Sequence, residues 1–243
     1  MDAAEIIAFF DGWELDIEER AYLAYHARRY EFLLGRVDAL VKRLGHERSG
    51  DPLRLLDVGL GFQTMVLRDR LPGAEIDSVG LPVPRFLDHG VRHVSFDLND
   101  AYEEDRRPDI GGYHLAIAAE VLEHLYTAPA TILHCLAGWL EPGGFAVVQT
   151  PNAVALHKRL RMLAGRVPFG PVPEDRSDPA HWREYTAGEL AAAARAAGLE
   201  PADLDAANYF GGPGGRARLY AALGRALPRG MRHGLTLTLR KPR

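Results

Sequence analysis

Cysteine is nearly absent: Cys135 is the single one in 243 residues. That excludes a disulfide framework and any cysteine-rich metal centre. Long apolar runs are missing too. Stretches such as Leu115 to Ala119 fall far short of the ~20 residues that span a bilayer, so no membrane partner is expected. The first residues, MDAAEIIAFFDGWELDIEE, are acidic where a secretory leader is basic, and no long apolar core precedes a small-residue cleavage site. A cytoplasmic chain is the expectation. Nor is there a basic excess. Lys plus Arg number 29 against 33 Asp plus Glu, a formal net charge of −4, which speaks against a nucleic-acid partner. Local basic surfaces from Arg159, Arg161 and Arg166, or from Arg225, Arg229 and Arg232, are still compatible with that balance. No Gly-Lys-Ser/Thr occurs, which excludes the phosphate-cradling loop of nucleoside triphosphate binders.

With 47% hydrophobic and 26% charged residues, the chain has a globular composition. Its length suits one or two domains. Residues 16 to 44 carry apolar side chains at steps of three and four (Ile17, Ala21, Ala24, Phe32, Leu33, Val37, Leu40, Leu44) and predict one long helix ended by Gly45. Beyond it, short apolar runs at Arg54–Val58, Glu75–Gly80, Arg92–Phe96, His114–Ala118 and Phe145–Gln149 predict strands. Helical patterns at Gln63–Leu71 and Val121–Leu140, with a poorly helical link through Pro82–Pro84, separate them. Such alternation predicts βαβ units and an α/β fold with a parallel sheet. After Gln149 the alternation breaks. A helix is expected at Ala153–Leu163, then a Pro/Gly-rich stretch with residues 165, 168, 170, 171 and 173, then a helix at Ala187–Ala197. Thr186 and Glu189 form a capping-box pattern before that helix and Gly198 stops it. Gly234–Arg240 alternates as a last strand. No linker is evident, so residues 1–48 are expected to cap a domain of 49–243, with 151–185 as a lid on the acceptor side.

Four segments carry chemistry. In LLDVGLGF a strand ends in Asp57 and turns through Gly59 and Gly61 into a helix, where glycines allow a tight turn and close approach of backbone to a ligand. Without a ligand it reads as a strand-to-helix turn. A dinucleotide loop wants a third glycine at position 64, which is Thr here. In FDLN, Asp97 ends the third strand, at the edge where ligands sit; alone, such a residue is more often a helix or turn cap. In AAEVLEHL, at the end of the fourth strand and the start of its helix, Glu120 and His124 fall one helical turn apart and can share a face; the glutamates alternatively complement the helix N-terminus. That segment differs from a zinc-protease helix, since Glu120 stands where the first histidine belongs, and no metal is expected. In LEPGGFAVVQTPN a glycine turn enters the fifth strand.

Together these segments, in this order, resemble the class I S-adenosylmethionine-dependent methyltransferases, strongly over Leu53 to Asn152 and weakly in the flanks. The resemblance implies a Rossmann-like, open, twisted, mostly parallel seven-stranded sheet with helices on both faces, an N-terminal helical lid and an insertion after strand 5. It implies S-adenosyl-L-methionine as cofactor, with S-adenosyl-L-homocysteine as product. By position, Asp57, Gly59 and Gly61 would line the methionine half, Asp97 and Leu98 the adenine, and Glu120 the pocket floor. Gln63 replaces the usual third glycine of the loop. The second strand lacks its acidic end, reading Ser78-Val79-Gly80-Leu81, and Asp77 comes too early. Arg29 or Tyr30 on the long helix would hold the cofactor's carboxylate, a task suited to the arginine fork; otherwise that helix face is simply solvated. His124, His181 and Tyr185, with His157 less favoured, are the candidate bases. The expected activity is methyl transfer to oxygen or nitrogen of a small-molecule acceptor by a monomer or homodimer. The alternatives are the same fold repurposed for non-methyl chemistry such as cyclisation, or a non-catalytic scaffold.

Overall fold

A computed structural model describes residues 1–47, 51–172, 174–175, 180–209, 222, 224 and 226–243. The domain boundary expected at 48, Pro173 of the Pro/Gly-rich stretch and Arg225 of the second basic group lie outside them. Two helices open the chain, α1 (Ala3–Phe9) and α2 (Ile17–Glu47). Alternation follows: β1 (Leu53–Val58), α3 (Phe62–Arg70), β2 (Ala74–Gly80), the short α4 (Pro84–Leu87), β3 (Arg92–Ser95), β4 (Tyr113–Ala119), α5 (Pro129–Trp139) and β5 (Leu140–Pro151). Then come α6 (Leu156–Leu163), α7 (Ala187–Ala196), β6 (Glu200–Ala207) and β7 (Gly234–Arg240).

The strands form one seven-stranded sheet in the order β3-β2-β1-β4-β5-β7-β6. β1 to β5 run parallel, and β7 is antiparallel to both β5 and β6. The order reverses between β1 and β4, so the carboxyl ends of those strands face a switch point, where ligands of open α/β sheets bind. Each face carries its own core. Leu56, Val58, Ala116, Ala146 and Val148 pack under α5 and α7 with Ile132, Leu136 and Leu190. Leu55, Leu115, Ile117, Phe145 and Val147 point the other way, to Phe10, Leu33, Val37, Met65 and Phe86. The period-2 alternation of the strands sends neighbours to opposite faces, and both are covered at the centre of the sheet, which is why β4 and β5 are largely apolar and buried.

Several elements differ from the sequence reading. The segment 121–140 is not one helix: a 3-10 turn spans Leu122–His124, and α5 begins only at Pro129. Proline suits the first helical turn and holds the preceding residue extended; Ala128 has φ −58 and ψ 135. Glu120 and His124 therefore do not share a helix face. The helix expected from Ala153 starts at Leu156. β5 begins at Leu140, with a register shift opposite Tyr113/Leu115 that absorbs Pro142-Gly143-Gly144. A Cβ on Gly144 would lie 2.9 Å from the Glu141 carbonyl and 3.1 Å from that of His114. α1 was not expected, although Asp2 and Glu5 form a capping box at its start. β6, the seventh strand, is an edge strand of Pro, Ala and Asp whose placement comes from pairing with β7.

Candidate functional site

The turn after β1 is built around a buried carboxylate. Asp57 accepts from Gln63 Nε2 at 2.6 Å and from Thr64 Oγ1 at 2.7 Å. Burial dominates those two bonds and pushes its pKa up to about 7. Gly59 takes φ +95, a left-handed conformation that glycine adopts without strain, and its N–H donates to the Val79 carbonyl at 2.8 Å. Gly61 precedes α3, and its N–H donates to Thr64 Oγ1 at 3.1 Å. Gln63, in place of a glycine, links two elements: its Nε2 holds Asp57 while its Oε1 accepts from Arg29 Nη1 at 3.4 Å.

Arg29 is buried on α2. Its Nε meets His26 Nδ1 at 3.3 Å, and its guanidinium lies 4.5 Å from the centre of the Tyr30 ring. Tyr30 is itself buried among the apolar residues of that face, so it backs Arg29 from the core side. Arg29 is electrostatically coupled to Glu120. The sequence-expected Arg29, Gln63, Asp57, Gly59 and Glu120 thus come together at the carboxyl edge of the sheet.

Asp97 caps the 3-10 turn Leu98–Tyr102, with Oδ1 accepting from the Asn99 N–H at 2.9 Å and from Asn99 Nδ2 at 3.1 Å. Leu98 is buried beneath it. Asp77 is committed elsewhere: Tyr113 donates to it at 2.7 Å, and Arg92 and Arg54 lie 3.3 and 3.7 Å away. The end of β2 therefore presents Gly80 and Leu81 with no carboxylate, as the sequence indicates.

Glu120 has φ +56, the one positive value of a non-glycine among the described residues. Its N–H donates to the Gln149 carbonyl at 2.9 Å. Such strain at a strand end is characteristic of functional sites. Glu120 Oε1 and Glu123 Oε1 are both buried without a protein donor. Burial raises both carboxyls, Glu120 to about 7, and the charge of Glu120 raises Glu123 further. Glu123 Oε2 accepts from Thr150 Oγ1 at 3.0 Å, and its carbonyl accepts from the Trp182 N–H at 2.7 Å. Its role was not legible in the sequence, where it read as an ordinary charge near a helix start.

Beyond Glu123 lies the insertion. His124 and His181 meet edge to face at 4.8 Å, and His181 Nδ1 is 3.4 Å from Glu184 Oε1. Burial lowers His181 to about 4, helped by His124 and Lys158. Glu123, His124 and His181 offer ligand atoms within 4.8 Å of one another, a spacing open to a cation although none is expected from the sequence. Lys158, also unforeseen, is buried on α6 in an ion pair with Glu184. Burial lowers it to about 8, against the pull of Glu120 and Glu123. Tyr185 bridges to Asn152 and packs into the core, with its ring under Arg183. His157 is further off, edge to face with His233 at 4.7 Å. Val167, Phe169, Val172, His181, Trp182 and Glu184 contribute to the walls of a cavity of about 520 Å³.

Comparison with known proteins agrees with this fold. A methyltransferase domain model matches residues 25–204. A ubiquinone biosynthesis O-methyltransferase of Ruegeria pomeroyi is 30% identical over 173 residues, 66% of this chain and 65% of its own length. A SAM dependent methyltransferase from Archaeoglobus fulgidus superposes with a TM-score of 0.57 at 14% identity, over 90% of this chain and 99% of that one. The Burkholderia thailandensis 1,6-didemethyltoxoflavin-N1-methyltransferase, solved with its namesake compound and S-adenosylhomocysteine, gives 0.51 at 19% identity over 99% and 89%. The family match runs from Tyr25 on α2, through the glycine turn and Glu120, to Leu204 in β6: this chain belongs to the methyltransferase domain family, with the Rossmann-like sheet of the S-adenosylmethionine-dependent methyltransferases.

Proposed function

We propose that this chain is an S-adenosylmethionine-dependent methyltransferase acting on oxygen or nitrogen of a small-molecule acceptor. The observation that carries the reading is the meeting of Arg29, Gln63, Asp57 and Glu120 around the Gly59–Gly61 turn at the switch point. S-adenosylmethionine fits the residues present. Nothing lies within 4 Å of a Cβ position on Gly59 or Gly61, and Glu120 Oε1 is buried without a protein partner. Arg29 would pair with the cofactor's carboxylate and Asp97 would face its adenosine end. When bound, the cofactor supplies an electrophilic sulfonium methyl group.

The remaining work falls to this chain's residues. Residues 1–48 act as a helical cap and 151–185 as an acceptor-side lid, aligning the acceptor and excluding water, the main contribution such a site makes to an in-line displacement. For a hydroxyl acceptor the proton passes to the group formed by Glu120, Glu123, His124 and His181. Burial holds the Glu120 carboxyl above the usual carboxylate range, the direction that suits a proton acceptor at neutral pH. Tyr185, pushed up by burial, stays protonated and acts as a donor. The O-methyltransferase relative favours an oxygen acceptor.

Calorimetric titration with S-adenosylmethionine and S-adenosylhomocysteine tests the reading. Micromolar binding to wild type, weakened at least tenfold (~1.4 kcal/mol) in Asp97→Ala, is expected. A folded protein that binds neither ligand would leave the scaffold reading in its place. Binding without release of labelled methyl to any acceptor would favour non-methyl chemistry such as cyclisation.

A further inference from the structure

α6 is polar on the wrong side for a helix of a water-soluble surface. Lys158 points inward to Glu184, while Leu160 and Leu163, which share a face three residues apart, point outward with 55% and 85% of their surface exposed. Met162 on the same helix is exposed as well, and the exposed apolar character continues past the helix through Val167 at 70%, Phe169 and Val172 at 73%. Residues 159–172 are exposed without interruption except at Pro168. A concentration of exposed apolar side chains of this kind marks an interaction surface.

The segment's own charge has one sign, although Glu184 and Glu189 stand across the neighbouring cavity. Residues 156–172 contain no Asp or Glu, in a chain whose net charge is −4, and acid returns only at Glu174 and Asp175. Arg159, Arg161 and Arg166 are exposed there, and among the described residues none pairs with a carboxylate. Arg159 donates through Nε to the Val154 carbonyl. Leucines with flanking arginines on the exposed face of a helix form the pattern that settles in the headgroup layer of a membrane. Acidic lipid attracts the arginines, and the apolar tips enter the acyl boundary.

We propose that α6 and residues 164–172 dock this protein on the surface of an anionic lipid bilayer. The absence of a spanning segment, from which the sequence reading expects no membrane partner, does not bear on this mode: among the described residues no helix is long and apolar enough to cross a membrane, and surface docking needs none. Val167, Phe169 and Val172 also line the cavity beside His181 and Glu184, so the docking face adjoins the acceptor side.

Co-sedimentation with phosphatidylcholine vesicles, with and without phosphatidylglycerol, tests this independently of any methyl transfer. Wild type is expected to bind the anionic vesicles at least tenfold more tightly than the neutral ones, and less tightly as salt is raised. Leu160→Asp/Leu163→Asp loses at least tenfold in binding, and Arg159→Gln/Arg161→Gln/Arg166→Gln loses the anionic preference. Circular dichroism and the thermal midpoint check that both variants are folded. Failure of wild type to bind anionic vesicles, or undiminished binding by the folded leucine variant, overturns the proposal. So does a dimer in analytical ultracentrifugation that the leucine substitutions dissociate, which would make a second copy the occupant of this face.

Discussion

Asp57 shows how a single side chain organises this site at a cost in stability. Fully buried and holding Gln63 and Thr64, it still titrates near 7 because desolvation outweighs the two donors. A carboxyl whose folded pKa lies above its unfolded value favours folding while protonated. Its penalty therefore grows as pH rises from about 4, the unfolded value, to about 7, and is constant above. Asp57→Asn removes that ionisation. Relative to the variant, wild type is expected to lose a few kcal/mol across that window, read from urea midpoints at stepped pH; parallel profiles would refute the assignment. At this scale the sequence was informative where function depends on local backbone. Asp57, Gly59 and Gly61 were legible because a strand, an acid and a glycine turn are contiguous. Glu123, Lys158 and Glu184 were not, because their chemistry arises from burial against one another across distant segments. His124 and His181 were chosen individually; their edge-to-face contact belongs to the fold.

Among the elements, β5 relies on one glycine at its entry. Its register with β4 shifts where Gly144 passes close to the carbonyls of Glu141, His114 and Tyr113. A methyl group there forces backbone, not a flexible side chain, to move. Gly144→Ala is expected to destabilise the protein by about 1–3 kcal/mol, seen as a lower thermal midpoint, whereas an unchanged midpoint would mean the strand entry adapts freely. Elements with strong local signals were read correctly from the sequence, as with the helix capped by Thr186 and Glu189. The helix expected over 121–140 failed because periodicity alone did not weigh Pro129. β6 was missed for another reason. Pro201, Asp203 and Asp205 have little strand preference, and the acids are held by Arg36 at the exposed edge, where charge also discourages pairing with another chain.

Over the whole molecule, the N-terminal helices and the sheet share one apolar cluster. Phe10 is fully buried, 5.2 Å from Trp13 and 4.9 Å from Phe62 at the start of α3. Cap and sheet should therefore unfold together. Phe10→Ala is expected to cost about 3–5 kcal/mol and to lower the far-ultraviolet and tryptophan transitions equally, Trp13 reporting the cap and Trp139 the sheet. Separation of the two transitions would mean that the cap is an independent unit. The sequence by itself determined the α/β class, the long helix, the glycine turn and the family resemblance, because each is encoded in neighbouring residues at a fixed period. Only the tertiary structure decided that Glu120 is strained, that Glu123 and Lys158 are buried together, and that α6 turns its leucines to solvent. Those properties depend on which surfaces lose water when distant segments pack, and no local pattern encodes that.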